Sequence, residues 1–262
     1  MSHIPRKRFG QHFLHDQGIL RKIVLAIAPK PGDNVVEIGP GEGALTLPLL
    51  RELGSLTAIE LDRDLVPRLR DAAEGVGTLE IVQADVLTID FATLAAKGPL
   101  RVVGNLPYNI SSPILFHCIE SIDAIRDMHF MLQKEVVDRM AAAPGSKVYG
   151  RLSVMLQLVC RVDPLLRVPP GAFRPPPKVD SAVVRLTPRP PEERRFADPA
   201  LLERVVKAAF GQRRKTLSNA LGDLADPEKI AQAGIDPRTR AEQLAPAAFV
   251  RLADVLSTSA GR

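Results

Sequence analysis

Three observations predict an α/β fold. Apolar runs of strand length alternate with helix-like segments from Asn34 to Gln133, which calls for a mostly parallel sheet with helices on both faces. Two late strands flank a proline-rich loop, which suggests an antiparallel edge strand. Residues 198–262 carry helical periodicity with no strand signal, which suggests a small all-helical C-terminal domain.

In order, the strands are read over Asn34–Ile38, Leu56–Leu61, Leu79–Ala84, Arg101–Val103 and Met128–Leu132. Helices are read over Ala44–Leu53, Asp64–Ala73 and Ser111–Glu120. Past Gly150 come a helix (Arg151–Val159), a strand (Arg161–Val168), the proline loop (Pro169–Pro177) and a last strand (Ser181–Leu186). Thr187-Pro-Arg-Pro-Pro191 then reads as a stiff linker, dividing the chain into 1–190 and 191–262.

A chain of 262 residues buries a full core and accommodates one large domain plus a smaller one. No apolar run approaches the ~18 residues a membrane span needs. The basic N-terminus, Met1 to Gly10, lacks the apolar stretch and cleavage site of a signal peptide, so a cytoplasmic protein without a membrane partner is expected. Cys118 and Cys160 sit in apolar surroundings without a Cys-x-x-Cys or Cys/His cluster, so buried thiols are expected and no metal.

Net charge is +5, and it is concentrated. Residues 1–30 carry Arg6, Lys7, Arg8, Arg21, Lys22 and Lys30 against Asp16 alone. A second excess of cations lies over residues 189–215 and ends in Arg213-Arg-Lys215. Two basic patches on a neutral body suit a polyanion, although a merely basic surface explains the charge equally well.

Gly39-Pro-Gly-Glu-Gly-Ala44 follows the first strand and fits the loose fingerprint of nucleotide-binding turns. A pyrophosphate wants bare backbone N–H groups and no nearby anion. Here Pro40 removes an N–H, and Glu37 and Glu42 add negative charge. S-adenosylmethionine, a phosphate-free cation, suits Gly39 and Gly41 better. Glu60, twenty-one residues after Gly39, is placed to accept ribose hydroxyls from either kind of cofactor. Asp85 is placed to accept from an adenine amine, and reads equally as a helix cap.

Asn105-Leu106-Pro107-Tyr108 closes the fourth strand. An Asn amide oxygen and a backbone carbonyl accept hydrogen bonds from an exocyclic amine, and a Tyr ring stacks on the base that carries it. Adenine N6 is a poor nucleophile because its lone pair is delocalised into the ring. Accepting from its two protons favours a pyramidal nitrogen, so positioning and electrostatics suffice and no catalytic His is expected. The plain alternative is an ordinary proline turn. Phe173, in the stiff Ala172-Phe-Arg-Pro-Pro-Pro-Lys178 loop, is the candidate for the second stacking face, with a core anchor as its alternative.

These segments resemble the bacterial small-subunit (16S) ribosomal RNA adenine N6,N6-dimethyltransferases. The resemblance runs through Arg6-Lys-Arg-Phe-Gly-Gln-His-Phe-Leu14, Val36-Glu-Ile-Gly-Pro-Gly-Glu-Gly43, Ile59-Glu-Leu-Asp-Arg-Asp64 and Gly104-Asn-Leu-Pro-Tyr-Asn-Ile-Ser111. It continues through Met131-Leu-Gln-Lys-Glu-Val136, Tyr149-Gly-Arg-Leu-Ser153, Phe173-Arg-Pro-Pro-Pro-Lys-Val-Asp-Ser181 and Phe210-Gly-Gln-Arg-Arg-Lys-Thr216, nearly the whole chain.

The resemblance implies a Rossmann-like methyltransferase sheet and S-adenosylmethionine as donor. It implies two methyls added to N6 of each of two adjacent adenosines near the 3′ end of 16S rRNA, in the assembling small ribosomal subunit. His12 and Leu14 should line the donor's methionine end together with Gly39, with Glu60 at the ribose, Asp85 at the adenine and Asn105 touching donor and target. Tyr108 and Phe173 should stack on the target base. Arg6, Lys7, Arg8, Arg213, Arg214 and Lys215 should grip phosphates. His12 stands where this family commonly has Asn. A monomer is expected. The competing readings are a large-subunit rRNA methyltransferase, a non-enzymatic ribosome assembly factor, and a nicotinamide dehydrogenase, which leaves Asn-Leu-Pro-Tyr unexplained.

Overall fold

The computed structural model describes residues 12–212 and 214–260, gathered into two compact units. The first comprises residues up to 137 together with 163–188, and the second 138–162 together with 189 onward. The division near residue 189 coincides with the proline linker. The grouping of 138–162 with the helical tail was not visible in the sequence.

In the first unit, β1 (Phe13–Leu14) leads into α1 (Gln17–Ile27), whose N-terminus is capped by Asp16 through the Gly18 and Ile19 amides. Then follow β2 (Asn34–Ile38), α2 (Thr46–Leu53), β3 (Ser55–Ile59), α3 (Val66–Ala73), β4 (Thr78–Val82), α4 (Phe91–Leu94), β5 (Leu100–Asn105), α5 (Ser111–Glu120) and β6 (Ile125–Gln133). Next come α6 (Lys134–Met140), α7 (Arg151–Val159), β7 (Cys160–Val168), β8 (Phe173–Arg174) and β9 (Ser181–Pro188). The seven-stranded sheet has the order β4-β3-β2-β5-β6-β9-β7. Strands β2 to β6 pair in parallel and β9 runs antiparallel to β6, giving the expected mixed sheet.

Leu20, Ile23 and Ile27 recur at helical spacing along α1 and are buried against Val35, Val103, Met131 and Val183 of the sheet, with Leu49, Leu50 and Leu53 of α2 in the same cluster. Helix α2 starts two residues later than the pattern suggests. Gly39, Gly41 and Gly43 hold φ of 66°, 58° and 85°, outside the right-handed helical region, and the turn they make occupies the chain up to Leu45. Gly104 answers a different demand: a Cβ there would lie 2.5 Å from the Ile38 carbonyl of the neighbouring strand.

The second unit adds α8 (Pro199–Gly211), α9 (Leu217–Leu221), α10 (Pro227–Gln232) and α11 (Pro246–Ala260) to α7. Phe210 sits between Tyr149 and Phe249, at centroid separations of 6.0 and 5.7 Å. The Tyr149 hydroxyl donates to the Leu244 carbonyl at 2.8 Å. These anchors explain why residues 138–162 join the helices. Cys118 and Cys160 are both buried. No described helix is long and apolar enough to cross a membrane.

Candidate active site

Parallel strands leave their carboxyl ends on one edge of the sheet, and ligands of such folds bind there, near the point where strand order reverses. Here that point lies between β2 and β5, with β3 and β4 on one side and β6 on the other. A cavity of about 320 Å³ opens at this edge. His12, Leu14, Gly39, Gly41, Glu60, Asp85 and the run Asn105–Tyr108 all line it.

Glu60 follows β3 directly and is buried, at 6% exposure. One carboxylate oxygen accepts from the Gly41 amide at 3.2 Å and the other from the Asp62 amide at 2.7 Å. Glu60 therefore braces the glycine turn as well as its own loop. Burial raises its carboxyl above the usual range, and the two amides oppose that shift. Asp85 is exposed at the rim and caps the next turn through the Leu87 amide at 3.0 Å. The cap is formed by one oxygen, Oδ1, so the second remains available to a ligand. Cap and ligand readings are compatible.

Glu37 was noted in the sequence only as a flanking charge, yet it lies inside the cavity wall at 2% exposure. Its Oε2 has no hydrogen-bond partner among the described residues. Burial pushes its carboxyl up to about 7, against a lowering by Thr46, with the Glu60 charge adding to the rise. An unpartnered buried acceptor beside Glu60 fits a ligand that carries positive charge. A sulfonium with an ammonium satisfies that demand and a pyrophosphate does not.

Asn105 ends β5 with its amide Nδ2 donating to the His12 main-chain carbonyl at 3.0 Å. That bond fixes the amide's orientation and leaves Oδ1 as the acceptor. Within the following turn, the Pro107 carbonyl accepts from the Ile110 amide and the Tyr108 carbonyl from Ser111 Oγ. The Tyr108 hydroxyl is 2.7 Å from Ser181 Oγ on β9, which anchors the ring from its far end. The His12 ring stacks on Tyr108 at 5.6 Å and 30°, and its Nδ1 lies 2.8 Å from the Pro175 carbonyl.

Phe173 is not where the sequence reading expected it. It is 2% exposed, belongs to the hydrophobic core, pairs with Leu14 across β1 and β8, and does not line the cavity. Its large apolar ring is covered by the short β1–β8 pairing, so in this structure it acts as the core anchor. Arg6, Lys7, Arg8 and Arg213 lie outside the described residues. Arg214 and Lys215 are exposed just past α8. His129 on β6 was missed altogether: it is buried at 3% exposure and lines the cavity. A lone His in an apolar strand carries no sequence signal that separates it from an ordinary core residue.

A family model described as ribosomal RNA adenine dimethylase matches residues 2–258. A protein of Xanthomonas campestris pv. campestris (strain B100), named ribosomal RNA small subunit methyltransferase A, is 60% identical over 256 residues, 95% of either chain. Among solved structures, a dimethyladenosine transferase from Plasmodium falciparum superposes with a TM-score of 0.78 at 28% identity, covering 92% of this chain and 96% of that one. The 23S rRNA methyltransferase ErmE superposes with a TM-score of 0.72 at 27% identity, covering 94% and 99%.

Proposed function

This chain belongs to the ribosomal RNA adenine dimethylase family, an S-adenosylmethionine-dependent family of rRNA methyltransferases, and from that premise we propose its target. It adds two methyls to N6 of each of two adjacent adenosines near the 3′ end of 16S rRNA, in the assembling small subunit, as a cytoplasmic monomer with a role in ribosome biogenesis. The observation that carries the reading is the placement of Asn105–Tyr108 over the same cavity as Gly39, Glu60 and Asp85.

The bound donor supplies a methyl already activated on a sulfonium. Everything else is positioning by the chain's own residues. Glu60 accepts from the ribose hydroxyls with the lone pairs its two amide bonds leave. Asp85 accepts from the donor's adenine amine, while His12, Leu14, Gly39 and Gly41 line the methionine end. Asn105 Oδ1 and the Leu106 carbonyl accept the two N6 hydrogens, and Pro107 holds that turn. Tyr108, tethered by Ser181, offers its ring to the target base once His12 yields that face. Phe173 reaches the base only if the β1–β8 pairing opens. Arg6, Lys7, Arg8, Arg213, Arg214 and Lys215 grip the RNA backbone, and no metal takes part.

The rival target is large-subunit rRNA, on which the 27% identical ErmE acts. The 60% identity to proteins named for the small subunit favours the first reading. The test incubates immature small subunits lacking the modification with purified protein and radiolabelled donor, then identifies the labelled nucleoside. N6,N6-dimethyladenosine in small-subunit RNA is expected. Label confined to large-subunit RNA, or binding without label, overturns the proposal.

A further inference from the structure

A protein ring already lies in the seat that the target base needs. Tyr108 is tied at its far end to Ser181 Oγ, at 2.7 Å, so its ring does not swing aside while that bond holds. The His12 imidazole stacks on it, with centroids 5.6 Å apart and 30° between the planes. His12 also touches the other half of the amine clamp, because its main-chain carbonyl accepts from Asn105 Nδ2 at 3.0 Å. A base that sets N6 on Asn105 Oδ1 and its ring on Tyr108 has to settle beside both residues, where the imidazole sits. His12, Asn105 and Tyr108 all line the one cavity.

The imidazole is held much as a bound base would be. It is flat and aromatic, and it stacks. Its Nδ1 is 2.8 Å from the Pro175 carbonyl, which accepts and does not donate, so the proton of that bond comes from the ring. The main chain beneath is fixed separately. Phe13 and Leu14 pair with Arg174 and Phe173, and the His15 amide donates to the Ala172 carbonyl at 2.9 Å. The backbone therefore stays in place when the ring leaves. Rotation of the side chain breaks one stack and one hydrogen bond, and the bond that orients the Asn105 amide survives it. His12 is only half-buried, so its side chain is not fully enclosed.

We propose that the His12 ring is a displaceable plug of the target-base seat, which excludes free adenine compounds and yields to an adenosine presented by RNA. The proposal rests on the adenine-methylating reading above. The amine clamp reads only what every adenine carries, the N6 hydrogens and a stacking face. By itself it does not separate an RNA from free adenosine. A competitor built into the chain weakens every ligand by the fraction of time the seat stands open. Contacts to the RNA backbone outside the seat offset that loss, and free adenosine brings none. Discrimination thus comes from a constant handicap that only the larger ligand overcomes.

The test measures adenosine and guanosine binding to the full-length protein. S-adenosylhomocysteine is kept at saturation for each variant, so that the donor's own adenine pocket is filled. His12→Ala should bind adenosine about 2- to 10-fold more tightly than wild type, the range set by loss of one competing ring contact. His12→Phe keeps a stacking ring and should bind it no more tightly than wild type. Tightening in both variants, or in neither, overturns the proposal. A second measurement needs no variant. Proton NMR of the wild type should show cross-peaks between the His12 ring and Tyr108, one of two tyrosines in the chain, and they should fade as adenosine binds. Cross-peaks that are missing at the start, or that persist in the adenosine-bound protein, overturn the plug even if the variants fail to fold. If neither wild type nor variant prefers adenosine to guanosine, the adenine reading falls and the plug with it. A preference for adenosine without tightening in His12→Ala removes the plug alone.

Discussion

Arg101 and His129 stand on the same face of adjoining strands and share the carboxylate of Asp127, yet their surroundings differ. Arg101, 5% exposed near the amino end of β5, has its guanidinium engaged on every side. It donates to Asp33 at 2.7 Å, to Asp127, and to the Ala28 and Ile27 carbonyls at 3.1 and 2.5 Å. Arg126 closes the network on Asp33 from outside. At the carboxyl end, Glu37, Thr46 and His129 are equally buried and retain polar atoms without partners. A buried polar atom left unpaired costs about 1–3 kcal/mol. Stability argues for removing such atoms, so their grouping in and beside one cavity wall marks the end of the sheet where a ligand completes the structure.

The contrast yields predictions at both ends. Arg101→Met strands Asp33 and Asp127 in the interior and should lower the unfolding free energy by about 3–5 kcal/mol in urea titration. A loss below 1 kcal/mol would show that water reaches the network. Asn105→Ala should leave stability and RNA binding intact while lowering methyl transfer by at least about 10²-fold. Retained activity removes the clamp.

Glu37→Gln should act oppositely to Arg101→Met. A carboxyl raised to about 7 binds its proton more tightly folded than unfolded, so its contribution falls as pH climbs from the unfolded value toward 7. The variant should therefore match wild type near pH 4 and exceed it by about 3 kcal/mol at pH 8.5, while binding the donor more weakly. Equal stability at both pH values would mean that Glu37 is solvated. Smallest is the change at the helical unit, outside both regions. Arg214→Ala with Lys215→Ala should reduce the slope of log affinity for RNA against log salt by about 0.7–0.9 per charge removed, with methyl transfer at saturating RNA unaffected.

The regular parts were legible. The sequence reading placed Asn34–Ile38, Ser111–Glu120 and Arg151–Val159 at their observed limits, and placed the clamp and carboxylates at strand ends. Period and propensity carry that information locally. Helix α1 was missed although Asp16 and the Leu20, Ile23, Ile27 spacing signal it. The burial of Phe173 was not legible because a two-residue strand pairing across 159 positions decides it, and no local pattern encodes that. His129 was invisible for a related reason. Its place in the cavity wall is set by the pairing of β5 with β6, and only that register brings it there.

The bond that orients the Asn105 amide comes from the main-chain carbonyl of His12, not from its imidazole. Every amino acid offers that carbonyl. An Asn at position 12 would keep that carbonyl and the acceptor geometry at Asn105, while giving up the ring's stack on Tyr108. The path of the backbone there sets the acceptor, so an inserted or deleted residue between His12 and Leu14 should disturb the Asn105 amide more than His12→Asn does.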